Sequence, residues 1–278
     1  MNDQKKTDSE GKMMSFARAV LAYKLRAALV SLSVFLVFSA VLAGLAWRLW
    51  YPDHLFWTDG GIQGLRLICA VDFVLGPVLA LVFFHPEKSR PKLIFDIAVV
   101  ATIQVAAMVW GAHQVYSQRP LAVVYGSQRF ISVAPAIMKL QRKTPADLRV
   151  YSAHEPPFVY RREPGSERER QRMLVMLMRH GFHFEAQAWL FQPFRPNLAR
   201  VFERQAGFRE YLQQAMPREW EAWREGRAVK SMTEYRFAFY EGRYENAVLV
   251  FSPRGDFLGH LAMGTTPVPG IRPDPLSR

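Results

Sequence analysis

The residues best placed to do chemistry here are polar groups set in apolar surroundings. Asp72 interrupts one long apolar stretch, and Asp96 and Gln104 interrupt another. An ionisable group held in hydrocarbon costs at least a few kcal/mol, so such residues must face one another, the nearby Arg66, or water. They fit either a proton path or a polar joint between helices. Three spans are too few to enclose a path, which favours the joint. A second constellation, His180-Gly181-Phe182-His183 with Glu185, has the residue types of a metal site. Its spacing crosses a glycine expected to end a helix, so the ligands would not share one helical face, and no metal is expected. Glu155 beside Pro156-Pro157 reads as a turn acid. The sequence contains no phosphate-binding glycine loop, nucleophile elbow or zinc-hydrolase signature, and no cofactor is expected.

The elements that would position these groups divide the chain in two. Residues 27–116 are almost continuously apolar, whereas charges are frequent from Ser117 onward. Three stretches, about 27–47, 67–84 and 93–116, approach the roughly 20 residues that cross a bilayer. Lys5, Lys6, Lys12, Arg18, Lys24 and Arg26 precede the first, and Lys88, Arg90 and Lys92 lie between the second and third. By the positive-inside rule, the 1–26 segment and the 85–92 loop are cytoplasmic, and the 51–66 loop and everything after 116 lie outside. Trp47, Trp50, Tyr51 and Trp57 would then form an outer interfacial belt. Gly76-Pro77 is expected to kink the second helix, because Pro77 lacks an amide donor.

Of the 36 Lys and Arg, 25 follow Tyr116, against 16 of the 24 Asp and Glu, so the later part carries an excess of +9. On an exported domain this charge argues against nucleic acid and leaves an ordinary solvated face with Arg paired to Glu, anionic lipid or an acidic protein partner, with surface Arg161 and Arg162 as steering residues. The lone Cys69 rules out a disulfide framework. Short β-branched runs at 121–125 and 129–133 flank Gly126-Ser127 and predict a hairpin. Strands are expected at 158–161 and 182–191, and a meander at 233–240, 244–251 and 257–263. Ser166 to Glu169 has capping-box spacing ahead of a helix whose Met173, Leu174, Leu177 and Met178 stripe fits an adaptable binding surface or, as expected here, core. A second helical region spans 197–226, with breaks at Gly207 and Pro217. The expected fold is a three-span α-helical membrane region followed by an α+β periplasmic domain, 117–264, with an antiparallel sheet. The Pro- and Gly-rich 265–278 tail would be extended.

Trp50-Tyr51-Pro52, Gly60-Gly61, Gly64, Val71-Asp72, Leu75-Gly76-Pro77, Pro86, Lys88, Asp96, Gln104 and Arg119-Pro120 occur in series over about 125 residues. In that order they resemble the type IV pilin accessory proteins of the TfpX/TfpZ type. The resemblance implies a non-enzymatic, chaperone-like helper in the bacterial inner membrane that meets a type IV pilin, and other pilus assembly proteins with it. Gly60, Gly61, Asp72, Gly76, Pro77, Asp96 and Gln104 would join helices or bind the partner. The competing readings are a membrane-bound pilin-modifying enzyme such as a glycosyltransferase, which needs more spans or a catalytic acid motif, and a periplasmic sensor, which needs a cytoplasmic output domain.

Overall fold

A computed structural model gives the architecture. It describes residues 35–83, 90–180, 184–203 and 205–266, except 226 and 228–230, together with positions 18, 22, 25, 29, 32 and 33. The expected basic N-terminus (apart from Arg18), Pro86, Lys88, His183 and the tail from 267 lie outside the described residues.

The chain separates into two compact units. The first comprises residues 1–45 and 63–114. It holds most of the apolar helix α1 (Phe35–Trp50), of α3 (Gly61–Phe83) and of α4 (Arg90–Ser117). The second is discontinuous, joining residues 46–62 to 115–278.

The three-span architecture is not what the structure supports. Among the described residues one stretch, Ile94–Ser117 in α4, is long and apolar enough to cross a bilayer, while Phe35–Trp50 and Gly61–Val71 are shorter apolar helices. The link expected between the first two spans differs as well. Residues 46–50 leave α1 as a π-helical turn, and 51–60 fold into the later domain instead of forming a short exposed link.

The expected antiparallel sheet is corrected too, because the sheet is mixed. Its seven strands run β4-β3-β1-β2-β5-β6-β7. These are β1 (Ala122–Gly126), β2 (Arg129–Val133), β3 (Phe158–Arg161), β4 (Phe191–Pro193), β5 (Arg236–Glu241), β6 (Asn246–Phe251) and β7 (Phe257–Gly264). The β1–β2 hairpin turns through Ser127 and Gln128, both at positive φ, as a tight primed turn requires. Strands β5, β6 and β7 form the antiparallel meander. Two pairings are parallel, β1 with β3 and β2 with β5, and the second joins the hairpin to the meander. Parallel neighbours need crossover connections, which helices supply.

Helices α5 (Pro135–Leu140), α6 (Pro145–Leu148) and α7 (Glu167–His180) follow the hairpin and β3. Then α8 (Leu198–Val201), α9 (Gln205–Ala215) and α10 (Pro217–Arg224) precede the meander. Gly207 lies inside α9 and does not break it, whereas Pro217 opens α10, where its missing amide costs nothing. Leu212, Trp220 and Trp223 from α9 and α10 pack on Phe237, Val248, Val250 and Leu261 of the meander. Over the hairpin half, Met138 and Leu148 cover Val124, Val133 and Val159. A separate aromatic cluster joins Phe130, Phe158, Phe194 and Phe251, with ring centroids 5.3–5.9 Å apart. Each fully buried Phe contributes roughly 1.5–3 kcal/mol of transfer free energy. The expected 182–191 strand is instead two short 3-10 turns leading into β4.

Candidate functional site

A buried polar constellation is built by the segment read from sequence as an interfacial loop. After the π turn, Asp53 takes a positive φ of 56°, and a single helical turn, α2 (Leu55–Thr58), brings Asp59 to its C-terminal end. Gly60, at φ 107°, then releases the chain, and a side chain there would meet the Tyr244 ring at 2.9 Å. Leu55 and Phe56 are buried, which is why so short a segment stays docked. The backbone is clamped as well. Tyr244 N–H donates to the Thr58 carbonyl at 2.9 Å, and the Tyr51 hydroxyl to the Val115 carbonyl at 2.9 Å.

Asp59 is 2% exposed and accepts hydrogen bonds from three hydroxyls: Thr58 at 2.6 Å, Tyr240 of β5 at 2.5 Å, and Ser132 of β2. It therefore ties the 51–60 segment to both strands of the parallel β2–β5 pair. Burial pushes its carboxyl above the usual range, opposed by the Ser132, Thr58 and Tyr240 hydroxyls. Burial likewise holds the Tyr240 phenol well above its ordinary value, reinforced by the Asp59 charge, and takes Tyr51 up to about 12.

His54 lies beside this joint, 1% exposed. Neither ring nitrogen has a hydrogen-bond partner among the described residues. It stands edge-on to the Tyr240 ring at 4.5 Å and near Phe257 at 5.5 Å and His260 at 5.8 Å. Desolvation pulls its pKa well below the ordinary value, and the neighbouring His260 and His154 push the same way. His260 is lowered by burial. His154 completes the group, its Nδ1 2.9 Å from the Pro156 carbonyl and its Nε2 3.8 Å from the Asp53 carboxylate. Imidazoles from three parts of the chain thus surround one aromatic contact. No group of three metal-ligating side chains suited to an ion occurs among the described residues.

A second feature is a cavity of about 960 Å³ bounded by Tyr125, Tyr160, Arg161, Phe208, Tyr211 and Phe239. Gln205 fastens α9 above it by bridging the Phe237 amide and carbonyl at 2.8 and 2.7 Å. Arg161 is 3% exposed and reaches the Glu163 carboxylate at 3.1 Å. Its guanidinium lies against Gly126, where an added Cβ would come within 2.7 Å. Arg162 is half-buried and pairs in a fork with Glu169 at 2.7 and 2.8 Å, which holds that carboxyl near 2. The two arginines expected to steer partners are therefore both engaged in ion pairs.

The structure brings Gly60 to this site, while Gly61 opens α3, its Cα facing Phe56. Asp72, Gly76 and Pro77 fall within α3, which runs through Pro77 without a break, and Asp96 and Gln104 lie half-buried on α4. Sequence reading missed Tyr51, His54, Asp59, Ser132 and Tyr240 as a set. The available signal was Leu55-Phe56, two apolar residues too many for a solvated link.

Three curated proteins of Dichelobacter nodosus are similar to this chain. A fimbrial assembly protein of serogroups C1 and C2 is 34% identical over 97 residues, covering 35% of this chain and 71% of that protein. One of serogroup I is 34% identical over 101 residues, 36% of this chain and 38% of its own length. One of serogroup E1 is 33% identical over 89 residues, 32% and 35% of the two chains. The chain thus spans less than two thirds of two of these relatives. No family model matches the sequence, and no solved structure matches it.

Proposed function

The chain belongs to the fimbrial assembly protein family, and on that footing we propose that it is a membrane-anchored accessory protein that keeps a type IV pilin stable in the inner membrane and delivers it to the growing pilus. The observation that carries this reading is the 34% identity extending over 71% of a relative that bears the assembly name.

Physical arguments support it. The apolar Ile94–Ser117 stretch of α4 serves as the anchor. Lys88, Arg90 and Lys92 precede it, so the positive-inside rule puts the mixed-sheet domain on the periplasmic side. A pilin awaiting assembly exposes an apolar helix to lipid and a headgroup to the periplasm, and a partner with both an anchor and an exported domain can meet both. The 51–60 segment, locked to β2 and β5 by Asp59, couples that domain to the chain entering α3.

The test is deletion of the gene in its host. The reading expects surface pili to fall severely, pilin to keep its intact mass, and the wild-type chain to restore piliation in trans. Normal piliation in the deletion strain refutes the assembly role. A pilin of altered mass makes the protein a modifier.

A further inference from the structure

Helix α7 presents a face that the fold leaves uncovered. Its sequence reads Arg172-Met-Leu-Val-Met-Leu-Met-Arg179, six apolar residues in a row between arginines. One side is occupied: Glu169 holds Arg162, and the Met173 carbonyl accepts from Gln187 at 3.0 Å. Met173, Met176 and Leu177 on that side are partly buried. The opposite side carries Leu174, Val175 and Met178, which are 48%, 56% and 86% exposed. The stripe expected to be core is therefore split, and half of it faces solvent.

At 100° per residue, Leu174 and Met178 lie one turn apart with Val175 beside them. Arg170, paired with Glu167 at 2.9 Å, falls on one flank of that stripe; Arg168, Arg179 and Arg172, whose guanidinium lies 4.9 Å from the Trp189 ring, fall on the other, with Glu167 and Gln171 between. Apolar side chains bordered on both sides by arginine are the pattern of a helix lying in a membrane interface. The tether agrees: four residues separate Ser117 at the end of α4 from Ala122 at the start of β1. The five Cα steps between them span at most about 18 Å, so the start of β1 stays within that distance of the end of α4.

We propose that α7 lies on the anionic phospholipid surface of the membrane that anchors the chain. Leu174, Val175 and Met178 enter the boundary between headgroups and acyl chains, and Arg168 and Arg179 meet lipid phosphates. The arginine flanks and the +9 excess of this part of the chain commit the face to anionic lipid. The contact rests on α4 as anchor and is independent of any pilin.

The experiment uses the full chain with Cys69→Ala and Met178→Cys, labelled at 178 with an environment-sensitive fluorophore and reconstituted into phosphatidylglycerol–phosphatidylcholine vesicles carrying nitroxide lipids. Glu219→Cys, at an exposed position on α10, is the reference. Quenching at 178 is expected to exceed that at 219 by about threefold or more, to weaken in vesicles of phosphatidylcholine alone, and to fall with Val175→Glu. Equal quenching at 178 and 219 overturns the proposal. So does protection at 178 that arises only when purified pilin is added, which makes the stripe a protein-docking face. Flotation at alkaline pH reports the anchor separately, and a chain stripped from the vesicles overturns the contact together with the anchor.

Discussion

Replacing Asp59 by Ala should unfasten the 51–60 segment from the sheet. The carboxylate accepts from Thr58, Ser132 and Tyr240; without it Thr58 keeps the His54 carbonyl at 3.0 Å, and Tyr240 and Ser132 keep only the neighbouring hydroxyls. The buried Tyr240 and half-buried Ser132 hydroxyls lose their carboxylate acceptor, at up to about 1–3 kcal/mol each. Part of that is offset because the variant no longer buries a carboxyl whose ionisation is resisted by desolvation. The net loss should be about 2–4 kcal/mol, a large fraction of the 5–15 kcal/mol of a typical domain. For a domain of this size that lowers the melting temperature by roughly 5–15 °C. The assay is thermal unfolding of the full chain in detergent, followed by tryptophan fluorescence, which Trp220 and Trp223 report from the meander core. Glu219→Ala on exposed α10 is the control. Asp59→Ala melting within about 2 °C of wild type would mean that Asp59 does not tie the segment to β2 and β5.

Stability should also fall as pH drops below about 6.5, the ordinary histidine value. His54 titrates lower in the folded chain than in the unfolded chain, so the unfolded state binds the extra proton, and the slope reaches at most about 1.4 kcal/mol per pH unit for one group. Asp59, raised by burial, acts in the opposite sense, its contribution present at low pH and lost as pH rises through its folded value. Because His54 makes no hydrogen bond through its ring and is walled by Tyr240 and Phe257, His54→Phe should cost under about 1.5 kcal/mol at neutral pH and should flatten the acid slope in pH-dependent melting. Gly242→Ala would drive a Cβ onto the Glu245 carbonyl of its own turn and to within 2.7 Å of Thr58, so proteolysis of the 51–60 segment should accelerate while a substitution at open Gly207 leaves it unchanged. Alkaline phosphatase fused after Arg278 should be active and a fusion after Lys88 inactive; the reverse pattern places the domain in the cytoplasm.

Local patterning carried the β half of the domain. Gly126-Ser127 between β-branched runs gave the first hairpin, and Glu241-Gly242 and Ser252-Pro253 gave the meander, because short turns encode antiparallel neighbours. The parallel β1–β3 and β2–β5 pairings were not legible, since nothing local records which distant strands meet. The 51–60 segment was misread for the same reason. Asp59 looks like a loop acid until β2 and β5 supply Ser132 and Tyr240 from 73 and 181 residues away. For α7, periodicity gave the helix and its start, with Ser166 Oγ accepting from the Glu169 amide at 3.2 Å. It could not tell that the apolar run serves two faces, only one of which meets the protein. Arg161 and Arg162 show the limit of charge counting, because their Glu163 and Glu169 partners are chosen by the fold.

The central claim is that this chain assists a pilin in the membrane, and photocrosslinking in native membranes tests it most directly. Photoreactive residues at Val105 on the exposed face of α4, at Trp57 on the docked segment and at Arg200 beside the 960 Å³ cavity sample the anchor and the exported domain. An adduct with the pilin of the same host is expected from at least one of these positions, lost when pilin is deleted. A stably inserted chain that yields no pilin adduct from any of the three contradicts it.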